Sequence, residues 1–160
     1  MPTKAALEVL GRKILDPLLA LLKQGMSPNR LALCVALGIV IGNIPILGVS
    51  TLICAAIALV FRLNLPAIQI VQAAMAPTQI LLIIPFVRLG EWILRVPPQP
   101  VSVQEGLALM AQGVGHAVVT LWKAIVHAGL AWALVAPLAV LFFYKVLTPV
   151  FEHAATRTKQ

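Results

Sequence analysis

The sequence predicts an all-α integral membrane protein with an amphipathic N-terminal helix, two broken or re-entrant helical hairpins, then a C-terminal transmembrane helical hairpin. Of its 160 residues, 61% are hydrophobic and only 11% are charged, whereas about a quarter of an ordinary soluble domain is charged. Two long stretches, residues 31–61 and 63–87, contain no charged side chain. No low-complexity linker divides the chain, so we predict a single membrane domain over 1–160.

The N-terminal segment, 1–26, has apolar residues at helical spacing. They are Leu7, Leu10, Ile14, Leu18 and Leu21. Lys4, Arg12 and Lys13 lie mostly on other faces, which is typical of an interfacial helix lying on a membrane. A solvent-exposed helix packed on the protein's own cytoplasmic side fits the same pattern. The charges interrupt any apolar core of the kind that a secretory signal requires.

The first broken segment begins at Ser27-Pro28, which resembles an N-cap followed by proline at the first helical position. A straight helix over the uncharged residues 31–61 would exceed a hydrocarbon core of about 30 Å. Midway lie an amide, a helix breaker and a glycine, at Asn43, Pro45 and Gly48. We therefore predict two arms that are each too short to cross alone.

The second uncharged stretch, 63–87, has the same plan. Prolines divide it at Pro66, Pro77 and Pro85, and Thr78 and Gln79 follow the middle one. Non-helical backbone at membrane depth is tolerated only where protein or a water-filled cavity satisfies it. The two interruptions of 27–95 are therefore expected to face inward, in one arrangement towards each other, either as a binding site or as two ligand-free hairpins.

The remaining chain predicts a Pro-rich loop over 96–102, a helical hairpin over 103–148 and a polar tail over 149–160. Residues 124–144 form the clearest spanning helix, with Trp122 and Tyr144 placed for the two aromatic belts.

The formal net charge is +7, and the basic residues flank the apolar segments. Because Lys and Arg favour cytoplasmic loops, we predict a multi-pass protein of a bacterial inner membrane with a cytoplasmic N-terminus. On this reading each broken segment returns to its own side, which places Arg88 and Arg95 with Arg62. The expected partners are anionic membrane lipids, and few polar residues are present to read nucleic acid.

No catalytic constellation is recognisable. The acids Glu8, Asp16, Glu91, Glu105 and Glu152 are scattered, so we expect neither an enzyme nor a cofactor. Cys34 and Cys54 lack metal-ligand spacing, so no metal is expected. His116 and His127 lie eleven residues apart. One continuous helix would align them for a proton relay, but the favoured interpretation is that one histidine lies at the membrane interface and the other bonds a neighbouring helix.

The candidate substrate-binding residues lie at or beside the interruptions. They are Asn43, Pro45, Gly48, Thr51, Arg62, Asn64, Thr78 and Gln79. Their polar groups would either orient a headgroup or satisfy the interrupted backbone, as would Ser50, Gln69 and Gln72. Gly38 and Gly42 form a small-xxx-small pair that permits close helix approach, within the chain or across a dimer.

Several spaced motifs occur in order over about 27–95. They are Ser27-Pro28-Asn29-Arg30, then Ala32, Ala36, Gly38, Gly42, Pro45, Gly48 and Thr51, and then Arg62-Leu63-Asn64-Leu65-Pro66. This region resembles the bacterial membrane family of unknown function catalogued as two thousand and sixty-two. The family's Asn-Pro-x-Thr-like element stands here as Ala76-Pro77-Thr78. Some relatives look like modules joined to glycosyltransferase domains, so the resemblance implies a connection to lipid-linked sugars or envelope lipids.

Two functions fit the sequence. The first is binding or translocation of an anionic lipid or lipid-linked headgroup through the paired re-entrant segments, with Arg30, Arg62 or Arg88 attracting the anion. The second is a non-catalytic accessory or assembly subunit, with a membrane protein partner or as a homo-oligomer.

Overall fold

A computed structural model describes residues 16–17, 20–21, 26–46, 48–98 and 102–158. Within these ranges the chain forms six α-helices and no β-strand, which confirms the all-α prediction. They are α1 Pro28–Gly42, α2 Ser50–Val60, α3 Leu65–Ala74, α4 Ala76–Leu94, α5 Val103–Ala111 and α6 Val114–Thr158. Most of the predicted interfacial helix over 1–26 lies outside the described residues.

Two segments, Ala76–Leu94 and Val119–Thr156, are long and apolar enough to cross a membrane, judged by length and composition alone. The helices α1, α2 and α3 are apolar but shorter.

The helices α1 and α2 form a hairpin around the first predicted interruption. The helix α1 starts after Ser27 with Pro28 in its first turn, although the Ser27 side chain makes no capping hydrogen bond. After Gly42 the backbone leaves the helix, and Gly48 takes a φ of +85°, a conformation that glycine adopts without a steric penalty. The helix α2 then packs back along α1, and Arg62 returns to the level of Ser27.

The helix α3 runs parallel to α1, and glycines permit their close contact. A Cβ added at Gly38 would lie 2.8 Å from Val71 Cβ, and one added at Gly42 would lie 2.8 Å from Met75 Cβ. The contacts advance along both helices in the same direction, which fixes the parallel arrangement. Gly38 and Gly42 therefore pack within the chain.

The second interruption consists of Met75 alone. The Met75 N–H donates to the Val71 carbonyl at 3.2 Å, and the Gln79 N–H donates to the Met75 carbonyl at 2.8 Å, so helical hydrogen bonding continues across it. Pro77 lies in the first turn of α4, where a missing N–H has little consequence. The helices α3 and α4 thus form one bent helix of about 45 Å, where the sequence predicted a second hairpin.

The long helix α6 runs antiparallel to both α1 and α4. In its N-terminal half, the His127 backbone of α6 contacts Gly90 of α4 so closely that a Cβ added at Gly90 would overlap the His127 carbonyl. Further along, the Trp132 indole reaches the Val40 carbonyl of α1 at 3.0 Å. Near its C-terminal end, Phe151 joins the buried cluster that contains Leu31. The helix α6 therefore packs against both α4 and α1 and holds them together.

Basic residues lie at both ends of the bundle. Arg30 and Arg62 share one end, which we call the Arg62 end. The helix α4 continues away from the Arg62 end. Arg88 therefore lies at the opposite end of the bundle, near the contact between Gly90 and His127. We call this the Arg88 end. The expectation that Arg88 and Arg95 share a side with Arg62 is therefore wrong for this fold, since it required α4 to turn back.

The C-terminal part differs from its predicted boundaries. The predicted hairpin over 103–148 corresponds to α5 and most of α6, with a turn at Gly113, whose φ is +123°. The 45 residues of α6 include Pro137 and Pro149. Residues 149–158, predicted as a polar tail, continue this helix. In the predicted loop, 96–98 and 102 are non-helical.

Candidate functional site

Three side chains satisfy the backbone at the end of α1. Asn43 Nδ2 donates to the Ile39 carbonyl at 2.7 Å. Gln79 Nε2 donates to the Ile44 carbonyl at 2.7 Å, and Trp132 Nε1 donates to the Val40 carbonyl at 3.0 Å. The last carbonyls of a helix have no intrahelical donor, so these bonds allow α1 to end inside the bundle.

A second polar group joins α2 to α3. Gln72 Nε2 donates to Ser50 Oγ at 3.0 Å, and the Thr51 hydroxyl donates to Gln72 Oε1 at 3.5 Å. Gln69 Nε2 donates to the Thr51 carbonyl at 3.2 Å. The amides and hydroxyls of this group therefore bind one another and nearby backbone.

An open cleft of about 560 Å³ lies at the Arg62 end, away from the interruptions. Its lining residues are Leu21, Met26, Ser27, Arg30, Cys34, Arg62, Leu63 and Asn64. Of the eight predicted substrate-binding residues, Arg62 and Asn64 line this cleft. The other six, Asn43, Pro45, Gly48, Thr51, Thr78 and Gln79, do not line it. The structure thus divides the predicted site between two places.

The backbone places Arg62 at the cleft by an uncommon conformation. The Leu63 N–H donates to the Ala58 carbonyl at 2.8 Å and the Arg62 N–H to the Leu59 carbonyl at 3.3 Å, the pattern of a Schellman motif. Arg62 occupies the left-handed position of that motif, with φ of +50°, where glycine is usual. The same pattern ends α4, where Arg95 has φ of +54°.

Two helices begin at the cleft, so their positive ends face it. The N-cap of α3 is Asn64, whose Oδ1 accepts a 2.9 Å hydrogen bond from the Ala67 N–H. The N-cap of α1 is Ser27, whose hydroxyl makes no capping bond. Helix N-termini and guanidinium groups both favour anions, and the described residues that line this cleft include no carboxylate. The cleft is therefore suited to bind an anion.

Comparison with known protein families gives a match that includes the cleft and all six described helices. The model of a protein family described as "Uncharacterized protein conserved in bacteria (DUF2062)" matches residues 12–160. The chain belongs to this family. The resemblance over 27–95 is thereby confirmed, and the DUF2062 match extends through α6. No curated protein and no solved structure gave a significant match.

In this DUF2062 member, the Arg88 end contains an ion pair between a buried carboxylate and a partly exposed guanidinium. Glu91 is only 3% exposed, and its Oε2 accepts a 2.8 Å bond from Arg88 Nη1. The spacing of three and four residues between Arg88, Glu91 and Arg95 predicts a solvated charge ladder on one helix face. The carboxylate is instead enclosed, and Arg95 lies beyond the helix in the left-handed conformation. The spacing of the charges could not predict this burial, because it depends on the close packing of α6 against α4 at Gly90, the residue before Glu91.

The two predicted relay histidines both lie on α6, which is continuous between them. His116 is exposed, whereas His127 packs its backbone against Gly90, and its Nδ1 is buried without a hydrogen-bond partner among the described residues. Those residues also contain no group of three or more His, Cys, Asp or Glu side chains that could hold a metal ion.

Sequence reasoning missed Ser27 and Trp132. Ser27 was recognised only as a helix start, because its place in a cleft depends on the return of α2. Trp132 was counted only as an apolar residue of the predicted spanning helix over 124–144. Nothing in the sequence indicates that its indole N–H donates to a carbonyl of α1.

Proposed function

We propose that this chain is a bacterial inner-membrane protein that binds an anionic lipid headgroup in the cleft at the Arg62 end. The observation that carries this proposal is the meeting of Arg30, Arg62 and two helix N-termini around one open cleft. The proposal assigns no catalytic step to the chain.

Exposed apolar side chains support a lipid environment. The spanning windows of α4 and α6 are only 22% and 11% buried, whereas a core helix of a soluble protein is mostly buried. Large apolar residues point outward along three helices, among them Leu59 at 76%, Trp92 at 77% and Leu138 at 70% exposed. Contiguous exposure of this kind marks a membrane or protein interface.

The separation of the charges also matches a bilayer. The helical path from Arg62 to Arg88 along the bent pair α3 and α4 is about 35 to 40 Å long, which is an upper limit on their separation and is compatible with the hydrocarbon core and its two interfaces. On α6, the uncharged residues 124–144 lie between Lys123 and Lys145. The Arg62 end contains Ser27, which follows the basic N-terminal segment in the sequence, and this end is the proposed cytoplasmic side.

A lipid, rather than a soluble anion, fits the surroundings of the cleft. Phe61 is 64% exposed and directly precedes Arg62, and Val60 beside it is 75% exposed. A phosphate in the cleft would place acyl chains along this apolar face of α2. Guanidinium groups bind phosphate through paired hydrogen bonds, so phospholipids and lipid-linked phosphates are the proposed ligand class.

Lipid analysis of nanodiscs tests this function. Purified protein is reconstituted in a mixture of phosphatidylglycerol and phosphatidylcholine, and the lipids retained after mild delipidation are measured by native mass spectrometry. We expect phosphatidylglycerol to be enriched over the bulk mixture, and the enrichment to fall in Arg30→Ala. Retention that follows the bulk composition would contradict the proposal.

A second candidate function, the accessory subunit, has its own supporting observation. The network of Ser50, Thr51, Gln69 and Gln72 between α2 and α3 extends from the buried Ser50 to the exposed Thr51. Polar groups at membrane depth favour a protein neighbour over lipid. Cross-linking after mild extraction tests this: a stoichiometric partner at this network would support it, and a monodisperse protein without partners would count against it.

A further inference from the structure

The end of α1 contains an acceptor that the described residues leave without a donor. Asn43 is 8% exposed, and its Oδ1 is buried with no hydrogen-bond partner in the described part of the chain. Its Nδ2 donates to the Ile39 carbonyl at 2.7 Å. Exchanging the two amide atoms would place oxygen against oxygen there, so the hydrogen-bond geometry itself fixes which way Oδ1 points.

The neighbouring side-chain donors are already engaged. Gln79 Nε2 and Trp132 Nε1 each bond to a backbone carbonyl of this region. No hydrogen bond from a described residue reaches the carbonyls of Gly42 or Asn43. These two carbonyls and Asn43 Oδ1 are therefore three acceptors without a described donor, at the C-terminal end of α1, which adds partial negative charge.

We propose that Asn43 Oδ1 and the backbone carbonyls at the end of α1 bind a sodium ion. Neutral amide and carbonyl oxygens are ligands for hard cations, and unwound helix ends bind such ions in broken membrane helices. The interruption between α1 and α2 contains no carboxylate, so a monovalent ion is better matched than a divalent one. The site lies at the opposite end of α1 from the cleft and does not depend on lipid binding there.

Thermal unfolding in detergent tests the site directly. Melting of the full chain is compared in NaCl, KCl and choline chloride at equal ionic strength, and ²³Na line broadening is measured on the same sample. We expect a saturable rise in Tm with Na⁺ that choline does not reproduce, together with broadening of the ²³Na signal.

Variants separate ion binding from general stability. Asn43→Ala removes the side-chain ligand and is expected to abolish the Na⁺-dependent rise in Tm. Asn43→Asp, which adds a carboxylate, is expected to produce the rise at lower Na⁺ concentration. Gln72→Leu breaks the separate contact between α2 and α3, so it should lower Tm while keeping the Na⁺ response.

Two results would overturn the proposal. One is a wild-type protein whose Tm and ²³Na signal show no sodium response, which would leave a bound water as the partner of Asn43. The other is an undiminished sodium response in Asn43→Ala. If that variant does not fold, the wild-type measurements alone decide whether the protein binds sodium, and the Asn43→Asp response decides whether Asn43 is a ligand.

Discussion

The side chain of Gln79 donates a 2.7 Å hydrogen bond to the carbonyl of Ile44, which joins the two interruptions of the chain. Gln79 is 5% exposed and lies in the first turns of α4, while Ile44 follows the end of α1. The same region receives the Trp132 indole from α6. The turn after α1 is therefore held in place by side chains from two other helices.

Loss of this bond should destabilise the fold. Gln79→Leu replaces the amide by an apolar side chain of similar size and removes the side-chain donor of the Ile44 carbonyl, which keeps its bond from the Ile46 N–H. We expect a loss of about 0.5 to 1.5 kcal/mol in the free energy of unfolding, measured by thermal or denaturant unfolding in detergent. Thr78→Ala, at the exposed neighbouring position, is the matched control and should change little. Equal stability of the two variants would contradict the role of Gln79.

The contact between Gly90 and His127 should tolerate no side chain. In Gly90→Ala the new Cβ would overlap the His127 carbonyl, which is backbone and cannot move aside alone. We expect this variant to lose more than about 2 kcal/mol of stability or to fail to fold. Gly129→Ala is the control on α6, because its Cβ would meet no atom within 4 Å. That change should be neutral or stabilise by up to about 1 kcal/mol. A fully stable Gly90→Ala protein would show that α4 and α6 do not approach so closely.

Replacing Arg62 by glycine should separate stability from ligand binding. Arg62→Gly relieves a left-handed arginine, which should stabilise the protein by about 1 kcal/mol. It also removes one guanidinium from the cleft, so phosphatidylglycerol retention should fall by about tenfold. Arg95→Gly relieves the same conformation at the other end and should leave retention unchanged. Equal retention in both variants would exclude Arg62 from the binding site.

The two ends of the bundle should be labelled from opposite sides of a membrane. The native Cys34 and Cys54 are fully buried and should react little with a membrane-impermeant maleimide. Ser27→Cys and Arg62→Cys are expected to react from one side of sealed vesicles, and Arg95→Cys from the other. Labelling of all three from one side would restore the arrangement in which α4 turns back.

The sequence was sufficient for the helices and for the first interruption. Asn43, Pro45 and Gly48 combine an amide, a helix breaker and a residue that adopts positive φ, so they define a break independently of the rest of the chain. Pro77 does not mark a second reversal of the chain, because a proline in the first turn of a helix can bend the chain without reversing it. The difference lies in the hydrogen bonds across Met75, which no residue pattern specifies.

Only some of the residues that line the candidate cleft could be predicted from the sequence. Arg62 and Asn64 are adjacent to the Pro66 motif and were identified with the interruptions. Ser27 and Arg30 precede them by more than thirty positions, and they join the cleft only because α2 returns along α1. The parallel packing of α1 and α3 depends on the contacts of Gly38 and Gly42, which the small-xxx-small spacing permits without naming the partner helix.

The return of α2 has a consequence for how the protein enters a membrane. Both ends of the α1–α2 hairpin lie at the Arg62 end, and residues 31–61, its turn included, contain no charged side chain. In the proposed orientation, the insertion machinery would therefore move no ionised group across the bilayer for this hairpin. In that orientation, translocation would require charge transfer only from α4 onwards, where Arg88 and Glu91 would cross as a hydrogen-bonded pair. The biogenesis of the chain would then have a single electrostatically demanding step, the export of the segment from Arg88 to Lys123.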